Sequence, residues 1–143
     1  YDSSIFPFAG RHYGIPGFPR HPVKITRDAG CLIEAPLSAL QRLGRTWPVA
    51  GGGYFRLMPY SLIRHAVRSV HREGTPFVAY CHPYEFRRGI LRHRSHASPF
   101  GWWGSRRNEL KDNLFRWTMR DKITRLVRDF TCESLQGALD GTA

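Results

Sequence analysis

Between Pro59 and His82 the chain carries its strongest folding constraint. Leu62, Ile63, Ala66, Val67 and Val70 recur at helical spacing after a proline suited to a first helical turn, and Arg64, Arg68 and Arg72 occupy other parts of the wheel. Gly74 supplies a stop. The run from Thr75 to His82 is then almost continuously apolar, which predicts a strand buried on both faces, as in a parallel sheet. Helix, glycine stop and buried strand make the second half of a βαβ unit, so this part of the chain reads as α/β.

The first thirty residues are punctuated by Phe6-Pro7, Tyr13-Gly14-Ile15-Pro16-Gly17, Phe18-Pro19 and His21-Pro22. Proline fixes φ and restrains the residue before it, and the interleaved aromatics need somewhere to pack, so an ordered extended loop is expected. Cys31 to Ala35, set between Gly30 and Pro36, reads as a short strand. Gly51-Gly52-Gly53 reads as a tight turn, and it lacks the Gly-Lys-Ser/Thr ending of a phosphate-binding loop. Beyond Arg87 a loop to Gly104 is expected, followed by one long amphipathic helix or two consecutive ones through Leu110, Leu114, Trp117, Ile123, Leu126 and Phe130.

Charge divides the chain in the same place. Of a net +11, residues 87–128 carry twelve Lys/Arg against three acids, or nine of the eleven excess charges. We therefore divide the chain into residues 1–86 and a basic, mostly helical extension, residues 87–143. No apolar stretch is long enough to span a bilayer. Three scattered cysteines, Cys31, Cys81 and Cys132, support neither a disulfide framework nor a four-cysteine zinc site. The chain opens Tyr1-Asp2-Ser3-Ser4, without Met or a signal pattern, a start expected of the C-terminal part of a longer protein, and its compartment stays open.

His82 sits at the carboxyl end of the expected buried strand, the position at which α/β folds place ligand sites. An imidazole there can serve as general acid or base near neutral pH, because its reference pKa is about 6.5, or it can simply be satisfied by a backbone carbonyl.

Several segments occur in one order: Tyr1-Asp2-Ser3-Ser4-Ile5-Phe6-Pro7, Tyr13-Gly14-Ile15-Pro16, Glu34-Ala35-Pro36-Leu37-Ser38, Pro48 to Arg56 with its triple glycine, and Tyr80-Cys81-His82-Pro83-Tyr84-Glu85-Phe86. That order resembles the C-terminal half of the polysaccharide deacetylases found with bacterial exosortase and exopolysaccharide gene clusters, members of the NodB-like carbohydrate esterase superfamily. The resemblance spans nearly the whole chain. It implies the C-terminal part of a deformed (β/α) barrel that removes N-acetyl groups from a sugar polymer with a divalent metal, commonly zinc. His82 matches the late histidine that protonates the departing amine in that family. The base and the metal ligands are expected before Tyr1, so this stretch alone is expected to hold no metal and to be inactive. The family's Leu-x-His appears here as Tyr80-Cys81-His82, a departure at the pocket for the acetyl methyl.

Within this resemblance Tyr54 and Arg56 are candidates to line the sugar cleft, beside a glycine run that lets a ligand approach. Glu85, three residues past His82, is a candidate to contact substrate or cap a helix. Glu34 could orient a catalytic partner or pair with an arginine. Arg56-Leu57-Met58-Pro59-Tyr60 has one residue too many for the superfamily's Arg-x-Pro-Tyr motif and falls in the wrong order. His93 and His96 have a metal-like spacing, but arginines crowd them and no further ligand lies nearby. His12 and His21 could face the cleft or stay solvated. Trp102 and Trp103 could stack on sugars, sit at a membrane interface or pin the terminal helices to the barrel.

The expected partner is an N-acetylated polysaccharide. A non-catalytic basic module for an anionic polymer or membrane surface is the alternative, and no nucleic acid is expected because no nucleic-acid-binding motif is visible.

Overall fold

The computed structural model describes residues 1–10, 13–28, 30–92 and 101–140, with the side chains of 101–103 left aside. Two antiparallel hairpins come first. Strand β1 (Val23–Arg27) pairs with β2 (Gly30–Glu34), Val23 opposite Glu34, and β3 (Ala39–Arg42) pairs with β4 (Arg45–Pro48), Ala39 opposite Pro48. Helices α1 (Gly52–Leu57) and α2 (Tyr60–Arg72) follow, then a 3-10 turn at Pro83–Phe86. The C-terminal part holds α3 (Gly101–Asn113), a 3-10 turn at Arg116–Thr118, α4 (Met119–Asp129) and α5 (Leu135–Asp140).

Helix α2 forms where its periodicity predicts. Pro59 precedes it, Ile63, Ala66, Val67 and Val70 are its buried residues, and the chain leaves it through Gly74 at φ +76°. Leu62 belongs to the apolar set by spacing but lies 44% exposed. The expected strand at Cys31 appears one residue earlier, as β2.

Three expectations need correction. Residues 75–82 are extended but do not form a strand buried on both faces. The backbone bonds on one side to Ser38, whose N–H donates to Val78 O at 2.9 Å, and on the other to Ala50, whose carbonyl accepts from Tyr80 N at 3.1 Å. Only Tyr80 makes a ladder contact, a parallel bridge to Gly51, and Ala79 and Tyr80 are exposed. An apolar run reads alike whether it crosses a sheet or lies along a core on one side. The triple glycine is not a turn. Gly51 precedes α1 in extended conformation, and Gly52 and Gly53 open the helix. The loop expected to run to Gly104 ends earlier, because α3 already begins at Gly101, and the helical stretch beyond takes the two-helix form of its two alternatives, interrupted at Phe115, which adopts the left-handed conformation (φ 53°, ψ 18°).

Two apolar clusters meet at Phe77. Phe6, Phe8, Leu37, Ala39 and Ala50 form one, and Phe55, Ile63, Val67 and Met119 the other, with Phe77 packed against both. The loop expected over the first thirty residues gives way to β1 at Val23–Arg27, and ahead of it Phe6 and Phe8 are buried edge to face with ring centroids 4.7 Å apart. Met119 is fully buried, so the basic C-terminal part contributes to the same core as residues 55–77. Burial of such a side chain contributes about 1.5–3 kcal/mol.

Polar contacts reinforce that union. The Lys122 ammonium, on α4, donates to the carbonyls of Phe55 (3.0 Å) and Arg56 (2.8 Å), satisfying carbonyls at the end of α1, and burial lowers its pKa. Asp129 accepts from the Tyr60 hydroxyl at 2.8 Å and pairs with Arg64 at 3.0 Å, tying the end of α4 to the first turns of α2. Arg116 is buried and donates to the carbonyls of Tyr84 and Arg87 at 2.9 Å each, to Gly89, and to Asn113 Oδ1 at 3.0 Å. Part of the C-terminal charge therefore holds backbone rather than facing solvent.

Candidate functional site

His82 follows the extended segment and immediately precedes the turn at Pro83–Phe86. Pro83 disfavours helical geometry at His82, whose backbone is extended at φ −86°, ψ 143°. Side chains alternate along an extended segment, so Tyr80 and His82 share a side, and their rings stand edge to face with centroids 5.3 Å apart. Tyr84 also lies beside the imidazole, with ring centroids 5.2 Å apart.

A cleft of about 340 Å³ opens beside this row. Tyr54, Arg56, His82 and Glu85, the four candidates from the sequence, all line it, together with Tyr13, Tyr80, Tyr84 and Lys111. The Tyr13 and Tyr54 hydroxyls are 2.8 Å apart. Burial is the main cause that drives Tyr54 well above the usual phenol range, and the bond to Tyr13 adds to it. Tyr80 and Tyr84 are also pushed upward, by burial first and then by neighbouring groups that include the Glu85 carboxylate. The cleft therefore presents neutral phenols, each a flat apolar face with a hydroxyl at its tip. Such walls stack on sugar rings and hydrogen-bond to sugar hydroxyls.

Glu85 has a different place from the substrate contact considered for it. It is 1% exposed, pairs with the buried Arg56 across 3.2 Å, and accepts the backbone N–H of His82 at 2.9 Å. The Glu85 side chain reaches back to cap its own turn, the second of the roles considered. Arg56 is likewise largely committed, since it also donates to the Asp112 carbonyl. Both line the cleft from buried positions, with the Glu85 carboxylate facing Arg56.

Gly52 explains part of the glycine run. A Cβ on Gly52 would overlap the Glu85 carboxylate. The glycine is needed because the acid rests on its Cα. The chain of contacts runs from Gly52 through Glu85 to the backbone of His82.

Among the described residues Glu34 pairs with no arginine and does not line the cleft. It is buried, and its carboxylate accepts the N–H of Ile5 at 3.0 Å, fastening the N-terminal segment along β2. His21 is exposed and does not line the cleft. His12, His93 and His96 lie outside the described residues, as do the side chains of Trp102 and Trp103. Among the described residues no three His, Cys, Asp or Glu side chains gather as a metal shell.

Of Tyr13, Tyr80, Tyr84 and Lys111, the sequence pointed only to Tyr80, as the departure from the family's Leu-x-His. The alternation Tyr80-Cys81-His82-Pro83-Tyr84 was a usable signal for two of them, because residues two apart share a side in extended backbone. Tyr13 gave none, since its approach to Tyr54 depends on the fold of the proline-rich loop.

Residues 3–140 match the family described as Domain of unknown function (DUF3473). The chain belongs to this family. The match covers the tyrosine cleft and the arginine-rich helices alike. No curated protein matches the chain. No solved structure matches it.

Proposed function

We infer that this DUF3473 chain supplies one wall of the substrate cleft of a polysaccharide N-deacetylase, with His82 as the general acid. The observation that carries the reading is His82 set beside Tyr80 and Tyr84 at a cleft of neutral phenols, with its backbone held by the buried Glu85–Arg56 pair. The ordered motifs that resemble exopolysaccharide-associated deacetylases support the same assignment.

In this reading a stretch of N-acetylated polysaccharide lies across the tyrosines. Their faces stack on the sugar rings, and their hydroxyls bond to ring substituents. Amide cleavage leaves a poor amine leaving group, which needs a proton as the C–N bond breaks. The imidazolium of His82 gives that proton to the sugar nitrogen. The Glu85 bond to the His82 N–H fixes the backbone from which the ring projects. Tyr80 stands where the related deacetylases carry leucine, and it gives the acetyl-facing side an aromatic wall.

The described residues do not fit the divalent metal that the resemblance implies, since they bring together no ligand set. In this reading its ligands lie outside the described residues. The fold in this proposal is the C-terminal part of a NodB-type barrel.

The test is acetate release from N-acetylated oligosaccharides by the protein as its gene encodes it. His82→Ala is expected to lower turnover by about a hundredfold or more, the usual contribution of a positioned acid, with an unchanged circular dichroism spectrum. Turnover near wild type would remove His82 from the chemistry. Oligosaccharide binding without turnover in the wild-type protein would make the cleft a binding wall only.

A further inference from the structure

A second surface joins the turn after His82 to the break between α3 and α4. Phe86, Arg87, Arg88, Ile90, Trp117 and Arg120 line one open cavity of about 560 Å³. Its apolar members are not packed away. Ile90 is 78% exposed, Trp117 74% and Phe86 40%, and Phe115, with its ring 5.5 Å from that of Trp117, is 41% exposed. Large apolar side chains left in water beside one another mark an interaction surface rather than ordinary scatter.

The same surface is uniformly basic. The two segments that build it, residues 86–92 and 113–120, contain five arginines and no aspartate or glutamate. Arg116 holds backbone carbonyls, which leaves Arg87, Arg88, Arg92 and Arg120 as exposed charges. Among the described residues the one carboxylate lining the cavity, Glu85, is buried against Arg56.

The backbone holds this presentation at a cost. Phe115 is a bulky residue in the left-handed region, where strain points to a constraint other than local stability. That kink ends α3 and sets Phe115 and Trp117 as exposed neighbours. Arg116 and Asn113 meanwhile bind the 84–91 loop to it, Asn113 bonding both the N–H and the carbonyl of Leu91 at 2.8 Å.

The geometry points to docking of this surface on an anionic lipid bilayer. Ile90, Trp117 and Phe86 enter the boundary between headgroups and acyl chains, and Arg87, Arg88 and Arg120 meet lipid phosphates. A bilayer interface is the partner that satisfies both halves of the pattern, because it offers negative charge above and apolar volume below. A nucleic acid or acidic glycan would answer the arginines and leave Ile90 in water. A second copy of the surface would oppose like charges. Among the described residues no helix is long and apolar enough to cross the membrane, so the contact is peripheral.

The experiment is co-sedimentation of the full chain with vesicles of phosphatidylcholine alone and of phosphatidylcholine mixed with phosphatidylglycerol, over a salt series. Binding is expected to the mixed vesicles only, weakening as salt rises. The double variant Arg87→Gln/Arg88→Gln should lose about thirtyfold in affinity, from two charges near the surface. The double variant Ile90→Ser/Trp117→Ser should lose at least about tenfold and the blue shift of tryptophan emission. All four positions are exposed, so both variants should keep the wild-type circular dichroism spectrum. Unchanged affinity in either variant would overturn the proposal. So would binding to DNA or an acidic polysaccharide without binding to vesicles, or self-association through these residues without vesicle binding.

Discussion

At the scale of single residues, His82 depends on an acid that depends on a glycine. Glu85 rests on Gly52, pairs with Arg56 and takes the His82 N–H, its own side chain almost wholly buried. Gly52→Ala is expected to displace the carboxylate, leaving Arg56 without its buried partner. Overpacking and a broken buried pair together should cost about 3 kcal/mol or more, read as a fall in the urea midpoint at unchanged slope. An unaltered midpoint would mean that the carboxylate can move aside freely. The sequence made these residues visible as a set, since Tyr54, Arg56, His82 and Glu85 were all singled out. It could not show that Glu85 faces inward, because an acid three residues past a histidine reads the same whether it caps a turn or meets a sugar. Only the position of Gly52, thirty-three residues earlier, separates those cases.

Secondary-structure elements were legible where one period dominated. The α2 stripe and the Gly74 stop were plain in the sequence, whereas the glycine run at α1 was masked by the usual turn meaning of glycine. The β3–β4 hairpin left no clear pattern, and its turn explains why. Leu43 and Gly44 occupy the two central positions with φ 52° and 70°, where asparagine and glycine are the usual occupants. Leu43 is 93% exposed, so its side chain contributes almost no packing. Leu43→Asn is therefore expected to stabilise the protein by about 1 kcal/mol through relief of left-handed strain. Thermal unfolding checks it, and a lower midpoint would show that Leu43 has packing value unseen in its exposure.

Across the whole molecule, acids whose pKa values are raised by partial burial set a pH limit. Burial pushes the Cys81 thiol up to about 11, with Glu85 contributing, and Tyr54, Tyr80 and Tyr84 are raised as well, by burial first. Each group keeps its proton in the folded chain at a pH where the unfolded chain has released it. Their stabilisation is complete below the unfolded values and is lost as pH rises through the folded ones. Tyr60 is raised too, by burial first, whereas Lys122 is lowered and acts in the opposite sense, as one group against five. The urea midpoint should fall steadily between about pH 9 and about pH 11, and a flat or rising midpoint there would contradict this. The composition break near residue 87 was real as a change in charge, yet the core runs through it, since side-chain packing responds to shape and apolarity rather than to net charge. Phe77 touches both clusters, and Met119 fills the second from the arginine-rich side. A gene that lost the coding for α4 would leave Phe55, Ile63 and Val67 without their cover, and α1, which carries Tyr54 and Arg56, would lose its anchor. The cleft and the basic helices must therefore descend together as one heritable unit, and selection acting on either constrains the other.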